Sequence, residues 1–103
     1  MQLGRVEGSV VATKKDAGLS GRKLLVLRPQ IVDDKDKGKL RDAGSTVIAV
    51  DSVGAGVGEL VVFCSGSSAR LAPGMDKAPV DAVVVGIIDS VDVLGKQLYT
   101  ARS

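Results

Sequence analysis

The sequence has no histidine, no tryptophan and a single cysteine in 103 residues. Without histidine, Ser-His-Asp and Cys-His nucleophilic sites are excluded and the commonest metal ligand is missing. One cysteine can neither close an intrachain disulfide nor build a cysteine-rich zinc site. Cys64, in Val61-Val62-Phe63-Cys64, reads as a small core hydrophobe. Aromatics are reduced to Phe63 and Tyr99, too few for the stacking platform with which small barrels hold single-stranded nucleic acid. A net charge of +2 favours no particular partner. No apolar run approaches a membrane span. No apolar h-region follows Met1–Arg5, so no signal peptide is expected and the chain reads as cytosolic.

What is present is Val, Leu, Ile and Ala with 13 glycines, a composition of strands and tight bends. Residues 3–13 alternate, with Gly4, Val6, Gly8, Val10 and Ala12 on one face and Arg5, Glu7 and Ser9 on the other. Lys14–Arg22 is a loop. Lys23–Val32 is a strand in which Pro29 marks an edge or a bulge. Asp33–Gly44, DDKDKGKLRDAG, reads as a solvated hairpin loop, and 33–46 is expected to be mobile and exposed. Strands are expected at Thr46–Val50 and Leu60–Cys64, with the turn Gly54–Gly58 between them. A short helix over 66–72 is capped by Ser67 and stopped by Pro73-Gly74. One long strand, Val80–Val93, bends at Gly86, and Gln97–Thr100 adds a last short one. The expectation is all-β: one domain over 1–103, a five- to six-stranded barrel with one short helix before the last long strand.

Candidate chemistry is thin. Ser67 and Ser68 lie in G-S-S-A-R, which is not a nucleophile elbow. Asp81 and Asp89 share strand parity and Asp92 does not; all three read as exposed charges. Gly54-Ala55-Gly56-Val57-Gly58 lacks both the spacing of a dinucleotide fingerprint and a following Lys-Ser/Thr. The sequence therefore reads as a non-enzyme with no cofactor and no metal. The alternative function is a barrel binding nucleic acid or an anionic ligand through Lys35, Lys37, Lys39 and Arg41, which the interleaved aspartates weaken.

Residues 24–27, 60–63 and 83–88 are apolar on both strand faces, whereas a sheet with one solvated face alternates. One short helix cannot cover so much, and identical neighbours are the simplest cover. Leu25, Leu27, Val83, Val85 and Ile87 are the core or subunit-interface candidates. Val83, Val85 and Ile87 are expected on one face of the long strand, with Val84 and Ile88 on the other.

These stretches carry a resemblance: 1–6, MQLGRV, with 8–13, GSVVAT; Lys15, Gly18-Leu19, Gly21 and 23–26; 49–59, AVDSVGAGVGE; 66–70, GSSAR; and 78–89, APVDAVVVGIID. In order and spacing the chain resembles the bacterial microcompartment vertex proteins, the pentameric shell family of ethanolamine-utilisation and carboxysome subunits. The resemblance implies an oligonucleotide-binding-like (OB-like) barrel and a cyclic pentamer in the shell of a cytoplasmic bacterial microcompartment. Hexameric tiles lie flat, and pentagons at the vertices let the sheet close. No nucleic acid and no membrane partner are implied. Asp33–Thr46 is more charged than the family pattern, and Lys77 replaces a small polar residue. In a ring, the lean segment Gly54, Ala55, Gly56 either approaches the axis, where side chains must be small, or is a tight turn far from it. Ser67 and Ser68 are further axis candidates. Inward-pointing amides in such a glycine turn would favour anions.

Overall fold

The computed structural model describes residues 1–11, 22–66 and 81–101. Within them eight strands follow in order: β1 Gln2–Val10, β2 Lys23–Val32, β3 Leu40–Asp42, β4 Val47–Asp51, β5 Leu60–Ser65, β6 Ala82–Ile87, β7 Ser90–Val93 and β8 Lys96–Thr100. The order β1-β5-β6-β4-β2 is closed by a β1–β2 pairing, and β3 hangs from the end of β2. The result is a five-stranded barrel. The expected helix over 66–72, the 14–22 loop, Ser67 and Ser68 lie wholly or largely outside the described residues.

Alternation selects the barrel interior. Leu25 and Leu27 of β2, Ala49 of β4, Val61 and Phe63 of β5, and Ala82 and Val84 of β6 form one buried cluster with Val6 of β1. Phe63 fills the centre because β1 makes room: a Cβ on Gly4 would lie 3.0 Å from Phe63 Cε1. Pro29 sits where β2 passes from β4, paired through Leu27, to β3, paired from Gln30. There its missing N–H interrupts neither ladder.

Three expectations change. First, Val80–Val93 is not one strand. β6 leaves the barrel after Ile87, and β7 turns back on β8 as a separate two-stranded sheet. Its tip places Leu94 at φ 52° and Gly95 at φ 77°, a turn whose twist suits a two-residue hairpin. Second, Val83, Val85 and Ile87 do not share a face. Val62 opposes Gly86 while Phe63 opposes Val84, so Val85 is an extra residue, and such a bulge inverts the alternation beyond it. Val84 lines the barrel. Val83 is buried on the outward side, Val85 is half-buried, and Ile87 is 36% exposed. Third, β1 carries a similar bulge at Glu7: Val6 opposes Leu27 but Gly8 opposes Val26. Gly4 and Val6 therefore point inward, whereas Gly8 and Val10 join the outward face with Val26 and Leu24. Cys64 opposes Val83 on that outward side and is half-buried, so it is not part of the barrel core.

Candidate assembly surfaces

The turn between β4 and β5 is built by two carboxylates. Asp51 sits at the end of β4 with its side chain 2% exposed. Its Oδ1 accepts the N–H groups of Val53 and Gly54, both at 3.0 Å, and its Oδ2 accepts that of Ala55 at 2.9 Å. Lys23 Nζ lies 4.0 Å from the same Oδ2 and donates to the Ala55 carbonyl at 2.8 Å. Glu59 closes the other half, its Oε1 accepting Gly56 N–H at 2.6 Å. Gly58 N–H donates to Val6 O at 2.8 Å, tying the turn to β1. Gly54 and Gly58 hold φ of 85° and 91°, which a side chain would strain.

Two sequence readings of this turn are corrected. The amides of Gly54, Ala55 and Gly56 do not form an anion nest, because the carboxylates of Asp51 and Glu59 already occupy them. Ala55 is 0% exposed and belongs to the core cluster, so only Gly54 and Gly56 have surface to offer. The role of Asp51 was missed. The available signal was an aspartate just ahead of a glycine-rich turn, where its short side chain can accept amides two to four residues on.

The 33–44 segment is a largely exposed hairpin, as expected, and its turn is organised by its own aspartates. Asp33 Oδ1 accepts the amides of Lys35 at 2.8 Å and Asp36 at 3.2 Å, and Asp36 Oδ1 accepts Gly38 N–H at 2.9 Å. Within the same segment β3 pairs with β2. One of the basic side chains is paired: Arg41 Nη2 is 3.8 Å from Asp34. The two amides hold the Asp33 carboxyl below the usual carboxylate range. A depressed folded pKa gives stabilisation that is present above the unfolded value and lost as pH falls through the folded one. The Lys35 and Asp36 amide resonances should therefore stay in place down to about pH 4, near the free aspartate pKa, and move only below it. Movement centred above that value, in the course of an NMR titration, would contradict the turn.

The remaining candidates disperse. Leu25, Leu27 and Val83 are fully buried. Tyr99 is half-buried, with its hydroxyl accepting Leu60 N–H at 3.4 Å, and Phe63 is in the core, so neither offers a stacking surface. Asp81, Asp89 and Asp92 are all exposed, placed before β6, after β6 and within β7.

The outward face of β1, β2 and β4 is different. Gly8, Val26 and Ile48 form one row across the three strands, and Val10, Leu24 and Val50 form the next. Ile48 is 47% exposed, and a Cβ placed on Gly8 would meet nothing within 4 Å. Among the described residues this face is apolar and only partly covered: Ile48 is exposed, Gly8, Val10, Leu24 and Val26 are half-buried, and Val50 is buried.

Residues 1–89 match the family described as ethanolamine utilisation protein EutN/carboxysome. The chain is 43% identical to the carboxysome shell vertex protein CcmL of Gloeobacter violaceus over 99% of its length and 96% of that protein's. It is 48% identical to the microcompartment shell vertex protein GrpN of Rhodospirillum rubrum, over 91% and 99% of the two chains. Among solved structures, Gloeobacter violaceus CcmL superimposes with a TM-score of 0.84 at 42% identity, covering 98% of each chain. The Rhodospirillum rubrum GrpN structure, described as a pentameric microcompartment shell protein, gives 0.75 at 46% identity, with 91% of this chain and 100% of that one covered.

Proposed function

Because the chain belongs to the EutN/carboxysome family, we propose that it is a structural shell subunit, a cyclic pentamer that caps the vertices of a bacterial microcompartment in the cytoplasm. The observation that carries this reading is the closed barrel whose outward β1–β2–β4 face is apolar and, among the described residues, only partly covered. A lone protomer of this size would hold such a face against water at a cost, and a closed ring removes it. Similarity over nearly the full length to a pentameric relative supports the number five.

The subunit acts by shape and carries out no catalysis. Its neighbours in the shell are hexameric tiles, whose flat packing it interrupts. The nucleic-acid alternative is weakened by the 33–44 hairpin, where aspartates cap the turn and pair Arg41. Within the ring, Gly54 and Gly56 face the axis and keep a narrow opening free of side chains. The lean surface of their turn and its rigid mooring to β1 and β2 support that placement.

Native mass spectrometry tests the ring. The expected species has five times the 10.6 kDa of one chain, and a monomer at micromolar concentration would overturn the proposal. Electron microscopy of the same particle tests the axis, since Gly54–Gly56 at the outer perimeter would refute that placement.

A further inference from the structure

β1 and β2 set two like charges opposite each other. Arg5 is the register partner of Arg28. Val6 and Leu27, the next pair, belong to the barrel interior, so the two arginines share the outward face. Opposed Cα atoms on antiparallel strands are about 4.5–5.5 Å apart, and like charges placed so work against folding. The two are not equally provided for. Arg28 is held on two sides: its Nε lies 3.3 Å from Glu7 Oε2 and its Nη1 donates to the Gly44 carbonyl at 3.0 Å. Arg5 is half-buried, yet among the described residues it makes no hydrogen bond and no ion pair. Its register partner on β5 is Leu60, fully buried, so an apolar wall borders Arg5 on that side.

We propose that Arg5 and Arg28 together bind a free oxyanion of the phosphate or carboxylate class, with Glu7 as the chain's own carboxylate that the anion competes against. Guanidinium groups present planar forks of N–H donors that match the oxygens of such an anion. Arg28 is the fixed half of the site, and Arg5 brings a full set of uncommitted donors. An anion between them replaces repulsion by attraction as it binds. The buried Leu60 beside Arg5 lowers the local dielectric and strengthens that attraction. Glu7 is the weak point in the present arrangement. Its side chain is 40% exposed and its contact with Arg28 is 3.3 Å long, an ion pair that solvent screens and an incoming anion can exchange with. The site is separate from the β4–β5 turn, whose amides are already taken by Asp51 and Glu59, and it does not depend on the ring.

Sodium phosphate and, separately, sodium acetate are titrated into the wild-type protein, with ionic strength held constant by chloride. The Nε–Hε resonances of Arg5 and Arg28 are followed by NMR. Both are expected to shift together and to saturate. Glu7→Gln frees Arg28 from its competitor and should bind roughly two- to fivefold tighter, the range of one exposed ion pair. Arg5→Gln removes the repulsion along with the donors. It should therefore melt no lower than the wild type in anion-free buffer and lose saturable binding. Arg5→Lys, which keeps the charge without the fork, should bind more weakly than the wild type. Shifts that rise without saturating, as general screening would produce, overturn the proposal. So does saturable binding that survives Arg5→Gln, and an affinity unchanged or weakened in Glu7→Gln overturns the part assigned to Glu7.

Discussion

Asp51→Ala should lower the unfolding free energy by about 2 kcal/mol, because one half-buried and two exposed amides lose a charged acceptor at once. Each bond to an ionised group contributes roughly 1.5–3 kcal/mol, but the amides can regain part of this from water that enters the vacated space. Asp51→Asn separates the two oxygens. Its remaining carbonyl can still accept from Val53 and Gly54, while its NH2 faces the Ala55 N–H, donor against donor. The asparagine variant should therefore fall between wild type and alanine. Lys23→Met, which removes the cation and its bond to the Ala55 carbonyl, should cost less than either. Urea unfolding at one fixed protein concentration is the measurement, since assembly stabilises the folded chain by mass action. An alanine variant within about 0.5 kcal/mol of wild type, the range of ordinary surface changes, would mean that the turn is held by something else.

The second large effect is in the barrel centre. Phe63→Ala removes the one aromatic that spans the interior and should cost about 3–5 kcal/mol. Gly4→Ala alone should also destabilise, by about 1–3 kcal/mol, because its methyl would press on the Phe63 ring. Together they should not add. Once the ring is gone the new methyl has room, and alanine suits a strand better than glycine. Gly4→Ala is therefore expected to be neutral or stabilising in the Phe63→Ala background. A double-mutant cycle reads the coupling directly, and additivity of the two costs would show that Gly4 is not there to admit the ring.

The fold was legible wherever alternation ran unbroken. Lys23–Val32 coincides with β2, and Leu60 begins β5 as read, because each strand is bounded by charge or glycine and keeps a single parity. Reading failed at Glu7 and Val85, the two bulges. A bulge adds one residue to one strand only, and the sequence before and after it looks like ordinary alternation. The inside and outside assignments beyond each bulge were inverted for that reason: Gly8 and Val10 were placed with Gly4 and Val6, and Ile87 with Val83. The long apolar run from Val80 hid a change of sheet at Ile88-Asp89, since both β6 and β7 are rich in valine. At the β4–β5 turn the glycines were visible and their fastening was not. Asp51 acts through atoms aimed at its own backbone, which hydropathy does not register.

Strand order also bears on the sequence of events as the chain is made. β1 lies between β2 and β5, and β4 lies between β2 and β6. A chain synthesised from its N-terminus can therefore assemble β1, β2 and β4 early, but that sheet has an unpaired edge on each side until β5 and β6 emerge. The last seam is also the slightest, two parallel register pairs, Val50 with Val83 and Asp51 with Val84, stitched by Ser52 Oγ donating to Val84 O at 2.6 Å. Until translation has passed residue 84, the nascent sheet exposes two strand edges and an apolar face, the combination that recruits other strands. The interval between making β4 and closing that seam is when the chain is most exposed to aggregation, and slow codons or a chaperone acting there would govern the yield of soluble subunit.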